Sequence, residues 1–178
     1  MKNRPVYKNI LLSAIILFFI SCKEDKLKLF TKLSEKQTGI NFQNQLREDI
    51  PDFNILTYPY FYNGAGVAVG DINNDGLLDV CFTGNMVKNR LYINKGNFKF
   101  EDITARSGIA DKGGWCTGIT MVDINNDGWL DIYICRSGLS NADKRKNLLF
   151  INNHLLPSAK GEVRGEVSFT ERASEYGL

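Results

Sequence analysis

The chain has 178 residues and a formal net charge of +2, length enough for one ordinary domain. Its positive excess sits at the N-terminus, where Lys2, Arg4 and Lys8 meet no acid before residue 22, so the remainder is slightly acidic. No basic stripe is left, which argues against a nucleic-acid partner. In chain order the first element is a segment with Lys2, Arg4 and Lys8 followed by the apolar run Ile10 to Ile20, broken only by Ser13. A basic start, a short apolar core and a small residue at 21 describe a secretion signal over residues 1–21. The run is about half of the roughly 20 residues that span a bilayer. Cys81, Cys116 and Cys135 form no Cys-x-x-Cys pair and have only His154 to join them, so a thiol metal site is not expected.

Phe19-Ile20-Ser21-Cys22 resembles the lipobox of bacterial lipoproteins, with Phe19 bulkier than the usual leucine. The resemblance implies acylation of Cys22 and attachment to a membrane through its lipid. The other reading is a chance cysteine beside an ordinary signal-peptidase site. Lys23-Glu24-Asp25-Lys26 looks like the sorting signal that sends lipoproteins to the surface of Bacteroidetes-type bacteria, or is simply a charged tether. The expectation is a bacterial outer-membrane, cell-surface lipoprotein with a lipidated N-terminus and tether over residues 22–36.

Polar residues without sustained period follow from Gln37 to Asp52 and read as loop. Repetition is clear from residue 62 onward. In the first unit, residues 62–109, Gly66-Val-Ala-Val-Gly-Asp71, Leu78-to-Thr83, Arg90-to-Asn94 and Phe98-to-Thr104 are short runs rich in β-branched and aromatic residues. The second unit, residues 114–178, repeats them as Gly118-to-Asp123, Leu130-to-Cys135, Asn147-to-Asn152 and Val167-to-Glu171. Cys81 and Cys135 fall in these runs and read as small buried hydrophobes. Gly39, Gly108 and Gly177 recur 69 residues apart, each closing a segment that begins at Phe30, Phe100 or Phe169. Four-stranded units in tandem imply an all-β fold, a partial β-propeller over residues 37–178, with a sandwich or meander as the competing geometry. Two blades and traces of a third fall short of the four to eight that close a propeller, so the chain reads as an N-terminal fragment.

Between the first two runs of each unit lies an acidic loop, Asp71-Ile-Asn-Asn-Asp-Gly-Leu-Leu-Asp79 and Asp123-Ile-Asn-Asn-Asp-Gly-Trp-Leu-Asp131, differing only at Leu77 and Trp129. Asp71, Asn73, Asp75 and Asp79, like Asp123, Asn125, Asp127 and Asp131, carry side-chain oxygens at offsets 1, 3, 5 and 9. The backbone carbonyls of Leu77 and Trp129 are natural further ligands. A hard-oxygen set in a small flexible loop suits Ca²⁺ better than Mg²⁺ or Zn²⁺. Two Ca²⁺ loops are therefore expected, the alternative being Asx-rich turns without metal. An EF-hand is excluded, since its glutamate position falls on Phe82 and Ile134.

These loops with their flanks, Gly66 to Asp79 and Gly118 to Asp131, followed by Arg90-Leu-Tyr-Ile-Asn94 and Asn147-Leu-Leu-Phe-Ile-Asn152, resemble the FG-GAP or VCBS repeats of integrin-like propellers. In particular they resemble bacterial lipoproteins of the cartilage acidic protein 1 and ASPIC/UnbV family. The resemblance implies four-stranded blades, a seven-bladed whole and calcium held by the loop carboxylates. The functional expectation is a surface-anchored binding or adhesion module recognising a protein or glycan. Tyr58, Tyr60, Phe61 and Tyr62 form a candidate contact cluster. Alternatives are a part in surface nutrient capture, or the non-catalytic propeller of a larger hydrolase. No nucleophile with its base, phosphate loop or cofactor box is legible, so no catalytic residue is expected.

Overall fold

The computed structural model describes residues 28–51, 53–109, 113–138, 141–154 and 167–178. The expected signal over residues 1–21, the lipidation site Cys22 and most of the insertion between Asn153 and Glu166 lie outside them. Among the described residues no helix is long and apolar enough to cross a membrane. The chain divides into residues 1–32 and 33–178, and the second unit contains both sheets.

Each sequence repeat folds as one four-stranded antiparallel sheet. The first is β1 (Val67–Gly70), β2 (Asp79–Phe82), β3 (Arg90–Asn94) and β4 (Phe100–Asp102), in that spatial order. The second is β5 (Trp115–Val122), β6 (Asp131–Ser137), β7 (Leu148–Asn152) and β8 (Phe169–Glu171). The meander order and its tandem repetition are those of a partial β-propeller, the expected all-β class. β5 begins earlier than its sequence run suggested, because Trp115 and Cys116 pair with Ser137 and Arg136 before the register shifts between Cys116 and Ile119. That irregularity is a bulge, which bends a strand without ending it.

The sheets pack face to face through alternate residues. Cys81, Leu91, Ile93 and Ile103 of the first meet Ile132, Ile134, Phe150 and Phe169 of the second in one buried cluster. Fully burying such a side chain is worth about 1.5–3 kcal/mol, so this seam is the main source of cohesion between blades. Gly70 lies where β1 approaches β5: a β-carbon there would stand 2.8 Å from Leu130 Cδ1. Buried Thr83 ties the innermost strands, accepting from Gly66 N at 2.7 Å and donating to the carbonyls of Gly66 and Thr117 at 3.2 Å.

Two stretches read as irregular have definite structure. Glu35–Thr38 is one helical turn, with Ser34 N–H bonded to Gln37 Oε1 at 2.9 Å. The polar stretch after it lies on the first sheet: Phe42 stacks on Phe82 at 4.9 Å, Tyr92 OH donates to Asn41 Oδ1, and Asn44 and Asn85 exchange two hydrogen bonds. These polar groups gain partners only after folding, so their spacing carries no period. The ends of the fourth-strand runs are helical turns, Thr104–Ser107 and Ala173–Tyr176.

Candidate metal centre

Both acidic loops fold on local hydrogen bonds before any tertiary partner is counted. Asp71 accepts from Asp75 N at 3.1 Å and Gly76 N at 2.8 Å, while Asn73 Oδ1 accepts from Asp75 N at 3.2 Å. Asp75 in turn takes Leu77 N at 2.8 Å and Asn73 Nδ2 at 2.9 Å. The second loop repeats each contact. Asp123 accepts from Asp127 N at 3.0 Å and Gly128 N at 2.8 Å, Asn125 from Asp127 N at 3.2 Å, and Asp127 from Trp129 N at 2.9 Å and Asn125 Nδ2 at 2.7 Å. Gly76 and Gly128 turn each loop at φ of 84° and 86°, a region that a side chain would disfavour.

The fourth acid of each loop does something local spacing did not reveal. Asp79 is fully buried, and its two carboxylate oxygens accept Ile72 N at 3.0 Å and Asn94 N at 2.8 Å. Asp131, also fully buried, accepts Ile124 N at 3.1 Å and Asn152 N at 2.8 Å. Each carboxylate thus joins the start of its loop to the end of the third strand. Burial pushes the Asp79 carboxyl up to about 6 against the opposing pull of its backbone donors, and the charges of Asp75 and Asp71 add to the rise. Burial raises Asp131 too, with Asp127 and Asp123 adding to it. In both loops three carboxylates therefore share one electrostatic field.

The loops also touch each other. Asn74 Nδ2 donates to Gly128 O at 3.2 Å, and Asn152 Nδ2 reaches Ile72 O at 3.0 Å, so adjacent blades carry both loops on one rim. Only the second loop has an imidazole beside it. His154 Nε2 lies 2.6 Å from Asp127 Oδ2, and its ring stacks on Trp129 with centroids 5.5 Å apart. That hydrogen bond is the main reason the Asp127 carboxyl lies below its ordinary range. His154 holds the turn place that Gly96 holds in the first sheet, as His154 N and Gly96 N donate to Asn152 Oδ1 and Asn94 Oδ1. The Asn94 and Asn152 pair was visible as a repeat in the sequence, but not its bond to the loop acid.

Residues 71–134 match the model of the FG-GAP-like repeat. This stretch carries an FG-GAP-like repeat. It is also similar to cartilage acidic protein 1 of Xenopus tropicalis, 35% identical over 72 residues, and to that of Mus musculus, 35% identical over 69 residues. These matches cover 40% and 39% of this chain, and only 11% of the length of each relative. Residues 71–134 contain both loops, β2 to β5 and the start of β6.

The repeat implies calcium, and the donor chemistry fits: each loop offers only carboxylate and amide oxygens, with charges close enough to raise the buried carboxyl. Among the described residues, no group of three or more His, Cys, Asp or Glu side chains converges as a metal cluster. The carboxylates are turned onto backbone amides of the loop and, for Asp79 and Asp131, also of the third-strand end. The tyrosine cluster is divided, with Tyr58 and Phe61 buried against Trp115 and Tyr60 and Tyr62 more than half exposed. None of the four lies in a strand.

Proposed function

We propose that this chain is a calcium-stiffened binding or adhesion module, displayed on a bacterial outer surface by a lipid on Cys22. The observation that carries the proposal is the pair of loops with one hydrogen-bond pattern, side by side on consecutive FG-GAP-like blades and linked through Asn74 and Gly128. Asp71, Asn73, Asp75 and Asp79 would hold one ion, with Asp123, Asn125, Asp127 and Asp131 holding the other and the carbonyls of Leu77 and Trp129 contributing. Bound calcium would offset the repulsion among the carboxylates. The chain's own contribution is to hold each loop at the blade corner through the buried Asp79 and Asp131. Calcium then acts on the scaffold, and a protein or glycan is recognised elsewhere on the blades.

Calorimetric titration of the full chain with Ca²⁺, against Mg²⁺ as control, tests the ion. Two binding events are expected, one lost in Asp75→Asn and the other in Asp127→Asn. A folded chain that takes up no Ca²⁺ rejects the metal assignment. Metabolic labelling with a radioactive fatty acid tests the anchor: label is expected on the native protein and absent from Cys22→Ala. Equal labelling of the two rejects it. A glycan and matrix-protein array, read with and without chelator, tests recognition.

A further inference from the structure

At the ends of β1 and β5 opposite the acidic loops, the chain forms a cleft of about 340 Å³. Tyr58, Tyr60, Asn63, Trp115, Thr117 and Ser137 line it, with residues 64 and 65 between them. Gly64 turns the chain at φ of 83° just before β1. Buried Asn85 fixes two walls at once, its Nδ2 donating to Gly64 O at 3.1 Å and to Cys116 O at 2.9 Å. The floor is aromatic: buried Trp115 packs on Phe53, Tyr58 and Phe61, with centroids 5.0, 5.4 and 5.4 Å away. Tyr58 OH and Ser137 Oγ are held 3.2 Å apart. Tyr60 stands beside this floor, its ring 5.8 Å from that of Tyr58 and crossed at 73°, and it is 62% exposed. The walls are thus set by the protein's own contacts, which lowers the cost of ordering them around a ligand.

The lining selects a chemistry. It combines aromatic rings with the hydroxyls of Thr117 and Ser137 and the amide of Asn63, and it holds no charged side chain. A charged ligand would lose water there without meeting a counter-charge, and a purely apolar one would leave the amide and hydroxyls unsatisfied. Among the described residues, neither the Asn63 side chain nor the Tyr60 hydroxyl has a hydrogen-bond partner in the protein. Thr117 Oγ1 donates to Cys135 O at 3.3 Å, which leaves its oxygen free to accept. A pyranose ring matches both halves of this surface, with C–H groups for an exposed aromatic ring and hydroxyls around its rim. The volume lies at the small end of the roughly 300–1,000 Å³ of ligand pockets, room for one or two such rings. We propose that this cleft binds a neutral glycan, with the Tyr60 ring as its stacking platform and Asn63 and Thr117 as its hydrogen-bonding groups. The inference rests on the reading of the chain as a binding module and names what is bound and where. It is separate from calcium, since no residue of either acidic loop is among those that line the cleft.

The test displays the full chain in many copies on beads, so that weak single-site affinities add, and applies it to an array of neutral glycans, acidic glycans and matrix proteins. Binding to neutral glycans is expected. The oligosaccharide giving the strongest neutral signal is then titrated into the full chain and its variants by calorimetry. Tyr60→Ala and Asn63→Ala should each weaken it by about tenfold, whereas Tyr60→Phe, which keeps the ring, should stay within about threefold. Tyr62→Ala is the control, because Tyr62 is also an exposed tyrosine but bonds to Glu48 and lies outside the cleft. Its affinity should match that of the native chain. Neutral-glycan binding that survives both Tyr60→Ala and Asn63→Ala overturns the cleft and leaves the binding-module reading standing. So does a loss in Tyr62→Ala as large as that in Tyr60→Ala. Binding confined to acidic glycans or to a matrix protein overturns the ligand class and again leaves that reading standing. A folded chain that binds no member of the array rejects both.

Discussion

Truncating Asp79 isolates its structural work from any work with calcium. In chelator, Asp79→Ala leaves Ile72 N and Asn94 N without the oxygens they reach at 3.0 and 2.8 Å, in a place where Asp79 itself has no exposed surface. A buried donor left unsatisfied costs about 1–3 kcal/mol, so the pair predicts a loss of about 2–6 kcal/mol. Asp79→Asn keeps one acceptor and removes the buried charge whose desolvation raises the carboxyl to about 6, so its loss should be smaller, about 1–2 kcal/mol. Asp131→Ala should match Asp79→Ala, because Ile124 N and Asn152 N are held at 3.1 and 2.8 Å. Urea denaturation followed by circular dichroism measures these differences, with thermal midpoints falling about 2–4 °C per kcal/mol for a chain of this size. If Asp79→Ala stays within about 0.5 kcal/mol of the native chain in chelator, the reasoning that makes this acid a backbone clamp is refuted.

Calcium at about a hundred times its dissociation constant should stabilise the chain by about 2.7 kcal/mol per site, read as a midpoint shift that chelator reverses. No shift would count against ion binding by the folded loops. Thr83→Val keeps the shape but removes the hydroxyl shared by Gly66 and Thr117, and should cost about 1–3 kcal/mol by denaturant titration. Trp115→Ala, which empties the centre of the cluster with Phe53, Tyr58 and Phe61, should cost about 3–5 kcal/mol in the same assay. Glu101 is held below its usual range first by its hydrogen bond to Arg106, with the Arg106 and Lys95 charges assisting. Its folded value is depressed, so its contribution is present above the unfolded value and lost as pH falls through the folded one. Both partners are half-exposed, which keeps the effect under about 1 kcal/mol. Glu101→Gln should therefore flatten stability slightly between about pH 5 and 3, and an identical profile would dismiss the pairing.

The loops and strand runs were legible because their determinants are local. Asp71 and Asp75 meet amides within five residues, and the glycine after Asp75 takes the positive φ that its place in the motif implies. β-branched runs likewise announced seven of the eight strands near their true limits, while β5 needed its pairing with Arg136 and Ser137 to begin at Trp115. Sequence also brought out the 69-residue recurrence of Gly39, Gly108 and Gly177. It did not tell what two of these glycines lie against, the carbonyl of Phe100 for Gly39 and that of Phe169 for Gly108. The same holds for His154 beside Asp127, Asn41 beneath Tyr92, and the division of Tyr58 and Phe61 from Tyr60 and Tyr62. Local spacing determined which residues could form a loop or a strand. Which acid is buried, which aromatic is exposed and which backbone approaches which were decided by the packing of one sheet on another, where the partner is far along the chain.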